Sequence, residues 1–238
     1  MATVFHPSRI RLKESRFKTA DWTDFYGDVE EELPPDMPEL LGEAVKITVY
    51  VDADHAGNLV TRRSQTGYVI YVNNAPIIWY SKRQNTVEAS TFGSEFIAMR
   101  TVVEAVEALR FKLRMFGIPV EGPADVMCDN ASVVNSAQRP ESVLSKKHLS
   151  ICYHRTREAV AREIIRVGKI ESDKNPADLF TKVLPTSTRY DLLLGLVWMR
   201  RDQLRDVEKL DSRLNREDRR LQQAIEVEKQ RYYKRKKG

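Results

Sequence analysis

Hydrophobic residues between positions 45 and 80 follow the two-residue period of β-strands. Residues 45–52 alternate apolar and polar side chains and are rich in β-branched residues, which predicts a strand. Two further strand-like runs occupy residues 67–72 and 77–80, and the Asn-Asn-Ala-Pro sequence between them has the composition of a hairpin turn. The pattern therefore predicts three successive strands, of which the second and third form a hairpin.

From residue 91 the apolar period changes to three and four residues, which is typical of a helix. Either Ser90 or Thr91 is a suitable N-cap for this helix, because both side chains carry a hydroxyl acceptor. Gly117 provides a natural stop, and Pro119 follows it. The apolar positions that define the period are Ala98, Val102, Val106, Leu109, Leu113 and Phe116.

The second half of the domain alternates between short strands and helices. The predicted elements are a strand at 124–128, helices at 131–137 and 147–162, a strand at 164–170 and a last helix that opens at Asn175. The order is β-β-β-α-β-α-α-β-α. Three meandering strands followed by α/β units predict an α/β fold, a mixed five-stranded sheet with flanking helices.

Two flanking segments lack this periodicity. Residues 1–44 sustain no apolar period and contain three prolines between positions 34 and 38, so we expect an extended connecting arm that is partly disordered. Residues 45–199 form the predicted globular domain. Residues 200–238 are charged and rich in helix formers, which predicts a basic helical tail, either a solvated single helix or a weakly self-associating one.

The positive charge of the chain is concentrated in this tail. The whole chain has a net charge of +5, from 39 Lys and Arg against 34 Asp and Glu. Residues 200–238 alone hold 14 Lys and Arg against 8 Asp and Glu. The body of the protein is therefore close to neutral, and net charge indicates an anionic partner only for the tail.

Several classes of protein are excluded or disfavoured by composition. No window of about 18 apolar residues exists, so no membrane span is expected, and the first residues lack the basic and apolar regions of a secretory signal. The two cysteines, Cys128 and Cys152, have no C-x-x-C spacing, which disfavours a disulfide scaffold and a thiolate zinc site. We expect a cytoplasmic location, with the nucleus as the alternative because residues 234–237 are all basic.

Four acidic residues occupy positions where sheets and helices usually present functional groups. Asp52 closes the first strand, Glu95 lies in the first turns of the long helix, Asp129 follows the fourth strand, and Asp178 lies in the first turn of the last helix. The chain has 34 Asp and Glu residues, so position alone does not single out these four. The residues that flank these four carboxylates distinguish them from the other Asp and Glu residues.

Those flanking residues form a series of motifs between residues 46 and 186. The motifs are V-Y-V-D-A-D-H-A-G (49–57), T-R-R-S-Q-T-G-Y (61–68), I-I-W-Y-S-K-R-Q-N-T-V-E-A-S-T-F-G-S-E-F-I-A (77–98), M-C-D-N (127–130), K-K-H with Y-H-R-T-R-E (146–158) and N-P-A-D-L-F-T-K-V-L-P (175–185). In this order they resemble the ribonuclease H domain of copia-type LTR retrotransposon polyproteins.

The resemblance implies a ribonuclease H-like fold and an endonuclease that cleaves the RNA strand of RNA–DNA hybrids. It also implies that Asp52, Glu95, Asp129 and Asp178 are both the catalytic residues and the metal ligands. Glu88 is a rival to Glu95, but it precedes the helix cap. In copia-type elements this domain follows reverse transcriptase, so the resemblance implies a reverse transcriptase partner in the same polyprotein. Residues 1–44 then resemble the segment that connects the two domains.

Phosphodiester hydrolysis explains why carboxylates are needed. Two Mg²⁺ ions about 4 Å apart can hold the attacking water and the leaving oxygen of an in-line displacement. Mg²⁺ prefers oxygen ligands, and Mn²⁺ is the alternative ion. Four clustered carboxylates without a cation would repel one another and destabilise the fold, which favours a metal site over a structural cluster.

Polar residues near the strand ends are candidates for substrate binding, with solvated turns as the alternative interpretation. Basic and hydroxyl side chains suit phosphates, and an amide suits a ribose 2′-hydroxyl. Asp54 is also a rival to Asp52 as a metal ligand. The candidates are Asp54, His55, Arg62, Arg63, Ser64, Lys82, Arg83, Gln84 and Asn130.

The chain departs from the ribonuclease H pattern at one position. Many ribonucleases H carry a mobile His on the loop before the last Asp, whereas residues 168–177 contain none. His148 and His154 lie earlier, and their spacing of six puts them on different faces of a helix. This departure bears on rate more than on mechanism. A catalytically inactive retroelement fragment that only binds nucleic acid is the alternative function, motivated by the missing polymerase motif and the added charged tail. An integrase-type transferase is disfavoured because the Glu is second in the acidic series.

Overall fold

The computed structural model describes residues 12–197. The predicted basic tail at 200–238, its self-association and its nuclear signal lie outside the described residues. The strands are β1 Ile47–Asp54, β2 Gln65–Val72, β3 Ala75–Arg83, β4 Ala124–Cys128 and β5 Ile165–Lys169. The α-helices are α1 Thr23–Tyr26, α2 Thr91–Met115, α3 Ala131–Gln138, α4 Ser150–Ala161 and α5 Thr186–Val197.

The five strands form one mixed sheet in the order β3-β2-β1-β4-β5. The first three strands pair antiparallel, as expected for strands joined by short connections, and β4 and β5 run parallel to β1 after helical crossovers. This arrangement confirms the predicted mixed five-stranded sheet with flanking helices.

Helix α2 covers the sheet and supplies most of the apolar contact on that face. It packs on β1, β2 and α4, and the side chains of Phe96, Val102 and Val106 are fully buried. Ser90 is the N-cap, because its side-chain oxygen accepts a hydrogen bond from the Gly93 N–H at 3.2 Å. The structure thus selects Ser90 over Thr91 as the cap.

The chain after Asn175 differs from the single helix expected there. Residues Pro176–Phe180 form a short 3-10 helix, and α5 begins only at Thr186. Pro185 explains the break, because proline lacks an N–H and disfavours helical geometry in the residue before it. The prediction of one helix opening at Asn175 is therefore wrong, although the side chain of Asn175 does cap the 3-10 helix.

Residues 12–44 pack on the domain through aromatic and charged side chains. Trp22 is 8% exposed, and the Arg157 guanidinium lies 5.0 Å from the centre of its ring. Tyr26 forms a 2.9 Å hydrogen bond with Nδ1 of His154, which gives that histidine a structural contact. Further along this segment, Glu31 pairs with Arg110 of α2. The domain boundary at residue 44 stays a prediction.

No helix within residues 12–197 is both long enough and apolar enough to cross a membrane.

Candidate active site

The pairing of β1 with β4 brings two of the four predicted carboxylates to one end of the sheet. Val51 pairs with Cys128 in the parallel ladder, so Asp52 and Asp129 follow adjacent positions of neighbouring strands. Asp52 is 1% exposed, whereas Asp129 is half-buried. Both carboxylates therefore lie at the carboxyl ends of parallel strands, where α/β sheets commonly carry functional groups.

Two further elements bring Glu95 and Asp178 to the same place. Glu95 lies in the second turn of α2, is 5% exposed, and its carboxylate accepts a hydrogen bond from the backbone N–H of Ala53. Asp178 lies on the 3-10 helix Pro176–Phe180. Asn175 ties this 3-10 helix to the sheet, because its Nδ2 donates to the Val51 carbonyl at 3.0 Å.

The four carboxylates form one cluster centred on Asp129. One oxygen from each of Asp52, Asp129 and Asp178 lies within 4.8 Å of the others. An oxygen of Glu95 lies within the same distance of Asp129, in a group that also contains the Cys128 thiol. The structure thus brings the four residues together, while their catalytic role stays a prediction.

Burial and mutual repulsion disfavour negative charge in this cluster. Burial raises the pKa of Glu95 to about 9, and the carboxylates of Asp52 and Asp129 add to the shift. Burial, followed by the charge of Asp52, raises the pKa of Asp178 to about 6. Both shifts mean that the cluster binds protons more readily than isolated carboxyl groups do, as expected of a site that binds a cation.

One buried acceptor of the cluster is unpartnered. Oε2 of Glu95 is inaccessible to solvent and accepts no hydrogen bond within the described part of the chain. Such an atom costs free energy unless a cation or a donor satisfies it. Burial raises the pKa of the Cys128 thiol well above its usual value, so the donors of this cluster are carboxylate oxygens. An oxygen-only donor set fits Mg²⁺ or Mn²⁺ rather than Zn²⁺.

Two residues at the cluster were not assigned a role from sequence. The Thr181 hydroxyl donates to Oδ2 of Asp52, and Lys182 Nζ donates to Oδ1 of Asp52 at 3.1 Å and to Oδ1 of Asp178 at 2.9 Å. The four-residue spacing of Asp178 and Lys182 is the sequence signal that could have indicated their ion pair. Nothing local indicates the contacts with Asp52, which lies about 130 positions earlier.

The predicted substrate-binding residues differ in how accessible their side chains are: some are exposed, some are buried and hydrogen-bonded within the fold, and some are half-buried. Ser64 is fully buried, and its hydroxyl accepts from the Ala56 N–H at 3.1 Å. Gln84 is 5% exposed and donates to the Ser94 carbonyl at 2.8 Å, so neither side chain is free for a ligand in this conformation. The exposed group consists of Arg62, Arg63, Lys82 and Arg83.

The other three candidates are half-buried. Asp54 ends β1, and burial together with the Asp52 charge raises the pKa of its carboxyl. Nδ1 of His55 lies 3.5 Å from the hydroxyl of Ser94. Asn130 accepts from the Ser132 N–H at 3.0 Å and caps α3, so its side-chain oxygen is engaged by the helix. Their roles in substrate binding stay predictions.

Gly67 allows the element that carries Asp178 to approach the sheet closely. A Cβ at this position would lie 2.5 Å from Cγ2 of Thr181 and 2.9 Å from Cβ of Phe180. We expect Gly67→Ala to displace this segment and to destabilise the protein by about 1–3 kcal/mol. Thermal unfolding measures this loss. Adding Thr181→Ser removes the nearest methyl group and keeps the hydroxyl, so the double variant should regain part of the lost stability. If the double variant is no more stable than Gly67→Ala, the proposed steric cause is contradicted.

Asn175 hydrogen-bonds the segment that carries Asp178 to β1. Its buried side chain donates to the Val51 carbonyl and accepts from the Ala177 N–H at 3.1 Å. Asn175→Ala should cost about 2–3 kcal/mol of unfolding free energy, because two hydrogen bonds are lost and the buried groups become unsatisfied. Urea denaturation measures the change. The exposed Asn85→Ala should shift stability by less than about 0.5 kcal/mol, and equal losses would contradict the special role of Asn175.

Comparison with known proteins identifies relatives that match about three fifths of the chain. No family model matches the chain. The chain is 35% identical over 150 residues to the retrovirus-related Pol polyprotein from transposon TNT 1-94 of Nicotiana tabacum, covering 63% of this chain and 11% of the polyprotein. It is 29% identical over 143 residues to the Pol polyprotein from transposon RE2 of Arabidopsis thaliana, covering 60% and 10%. The chain thus spans about a tenth of the length of these relatives.

Solved structures with a similar chain path include ribonucleases H. LC11-RNase H1, solved in complex with an RNA/DNA hybrid, is 21% identical, covers 57% of this chain and 94% of its own, and gives a TM-score of 0.44. RNase H1 from Halobacterium salinarum is 14% identical with the same coverage and a TM-score of 0.45. The chain is a homologue of one segment of the retrovirus-related Pol polyproteins of plant transposons, and it has the ribonuclease H-like mixed five-stranded sheet with flanking helices that its motifs predict.

Proposed function

We propose that this domain is a ribonuclease H-type endonuclease that cleaves the RNA strand of RNA–DNA hybrids with the help of divalent cations. The observation that carries the proposal is the cluster of four carboxylates from four separate elements, with an unpartnered, buried oxygen on Glu95. Ionised carboxylates at these distances repel one another in a buried environment, and Lys182 supplies only one positive charge against them, so the cluster favours further cations.

The residues that would hold Mg²⁺ are Asp52, Glu95, Asp129 and Asp178, and Mn²⁺ is the alternative ion. Bound divalent ions would stabilise the negative charge that develops on the phosphate and activate the attacking water. The protein's own contribution is to hold the carboxylates in fixed positions. Ser90 caps the helix that carries Glu95, and Asn175 fastens the segment that carries Asp178.

The exposed basic residues support an anionic polymer as substrate. Gln65, which opens β2, pairs with Asp54 on one side and with Arg83 on the other. Arg83 and its neighbour Lys82 therefore lie at the same end of the sheet as the carboxyl end of β1. Arg62 and Arg63 lie three and two positions before Gln65 in the chain and bring two more positive charges to this end. Phosphate contacts of this kind position a nucleic acid strand without reading its sequence.

Cleavage of a hybrid with one labelled strand tests the proposal. The purified chain, incubated with an RNA–DNA hybrid at millimolar Mg²⁺, should cut only the RNA strand, and EDTA should abolish cutting. Single-stranded RNA and duplex DNA are the control substrates. A folded protein that leaves the hybrid intact in both Mg²⁺ and Mn²⁺ would contradict the proposal.

Binding without cleavage is the second candidate function. It is favoured by the ammonium of Lys182, which already bridges Asp52 and Asp178 in the described structure. Hybrid affinity with no cutting would support this alternative. The homology to Pol polyproteins also supports a reverse transcriptase domain as partner, which co-purification with a reverse transcriptase segment tests. A cytoplasmic location is a separate proposal, which cell fractionation tests.

A further inference from the structure

Asp52 has both of its carboxylate oxygens engaged by one short segment. This residue is 1% exposed, its Oδ2 accepts from the Thr181 hydroxyl, and its Oδ1 accepts from Lys182 Nζ. The same ammonium also binds Oδ1 of Asp178 at 2.9 Å. A single positive charge of the protein thus bridges two of the four carboxylates.

That ammonium binds two of the three carboxylates that a divalent ion at this position of the cluster needs. The nearest oxygens of Asp52, Asp129 and Asp178 lie within 4.8 Å of one another, so a cation among them faces all three. Two cations bound to the same pair of carboxylates repel each other strongly at such separations. Simultaneous occupation by Lys182 and a metal ion is therefore unfavourable.

The position of Lys182 in the fold allows its ammonium group to move away from Asp52 and Asp178. Its side chain is 34% exposed, and it follows the 3-10 helix Pro176–Phe180 and precedes α5 rather than lying within either. Rotation about its side-chain bonds moves the ammonium into solvent without disturbing the buried residues beneath it. Asp52 and Asp178, by contrast, are held in place by the sheet and by the Asn175 contact.

We propose that Lys182 is a built-in counter-ion that occupies the cation position of the metal-free site and that a divalent ion enters by displacing it. The inference rests on the proposed function in so far as it treats the carboxylates as metal ligands. Lys182 neutralises the carboxylates when no metal is bound, and because a metal ion has to displace it, Lys182 lowers the apparent affinity of the site for metal.

Metal titration of charge variants, without nucleic acid, tests the displacement. Lys182→Met should bind Mg²⁺ and Mn²⁺ at least about tenfold more tightly than the unchanged chain in calorimetry, because no ammonium has to leave. Lys182→Arg keeps the charge and should bind no more tightly than the unchanged chain. Lys112→Met removes one charge about 25 Å along α2 from Glu95 and should leave the affinity unchanged.

Two outcomes of this titration would overturn the inference. Unchanged or weaker metal affinity in Lys182→Met would mean that the ammonium does not compete with the ion. Equal tightening in the Met and Arg variants would mean that shape rather than charge is responsible. Thermal unfolding in EDTA accompanies the titration, and Lys182→Met should unfold at a lower temperature there and regain stability with metal.

A measurement on the unchanged chain covers the case in which Lys182→Met fails to fold. An amine-reactive label, located by mass spectrometry, should modify Lys182 several times faster at saturating Mg²⁺ than in EDTA, while Lys112 reacts equally in both. An unchanged labelling rate at Lys182, with metal binding verified by calorimetry, would overturn the inference.

The outcomes also separate this inference from the proposed function. If the chain cuts the hybrid but its metal affinity does not depend on Lys182, only the counter-ion role of Lys182 is refuted. A chain that binds neither Mg²⁺ nor Mn²⁺, with or without Lys182, refutes both.

Discussion

Replacing Asp129 by Asn should reduce cleavage of an RNA–DNA hybrid by at least about 10³-fold, because metal assistance contributes several kcal/mol to transition-state stabilisation and each 1.4 kcal/mol is about tenfold. Asp129 stands at the centre of the cluster, with ligand atoms near both Glu95 and Asp178. Single-turnover cleavage at saturating Mg²⁺ measures the effect. A variant that cuts at the normal rate would remove Asp129 from the proposed machinery.

The same variant should leave the fold intact. Removing one negative charge from a crowded cluster relieves repulsion, so the melting temperature of Asp129→Asn in EDTA should equal or exceed that of the unchanged chain. Asp173→Asn is the matched control, since this exposed residue lies in the short 3-10 helix Ser172–Lys174 that precedes Asp178 in the chain. It should change neither cleavage nor stability. A large loss of stability in Asp129→Asn would show that Asp129 has a structural role instead.

Replacing Glu31 by Gln should destabilise the protein by about 3 kcal/mol. The Glu31 carboxylate receives hydrogen bonds at 2.6–2.7 Å from both Arg110 and Arg114 of α2, and its side chain is 16% exposed. Burial opposes the charge of Glu31, but the two guanidinium groups outweigh it and lower the pKa from 4.5 to about 2. A shift of this size corresponds to about 3 kcal/mol. Denaturant unfolding at pH 7 measures the loss.

The pH dependence of stability gives a second measurement of the Glu31 contribution. Because the folded-state pKa of this carboxyl is lowered, its stabilisation is complete above about pH 5 and is lost as the pH falls from 4.5 towards 2. The difference between the unchanged chain and Glu31→Gln should shrink over that range. Glu32→Gln is the matched control, since its side chain is 91% exposed, and should cost less than about 0.5 kcal/mol. Equal losses at both positions would contradict a buried ion-pair network.

Local sequence patterns were sufficient for the elements of the sheet and for the long helix. Alternation predicts β1, and the three- and four-residue period predicts α2, because both signals arise from neighbours within one element. The pattern fell short at element ends. Strand β1 continues to Asp54 through its pairing with Gln65, a contact with another strand that alternation within residues 45–52 does not report.

The flanking motifs also singled out the four carboxylates among the acidic residues of the chain, and the pairing of β1 with β4 then brought Asp52 and Asp129 to one end of the sheet. Only the tertiary structure decided what surrounds them. The burial that raises the pKa of Glu95, the engagement of Ser64 within the fold and the bridge from Lys182 to Asp52 all depend on segments distant in the chain. Secondary structure is encoded by neighbours a few residues apart, whereas burial and charge act through space, so their effects exist only once the chain has folded.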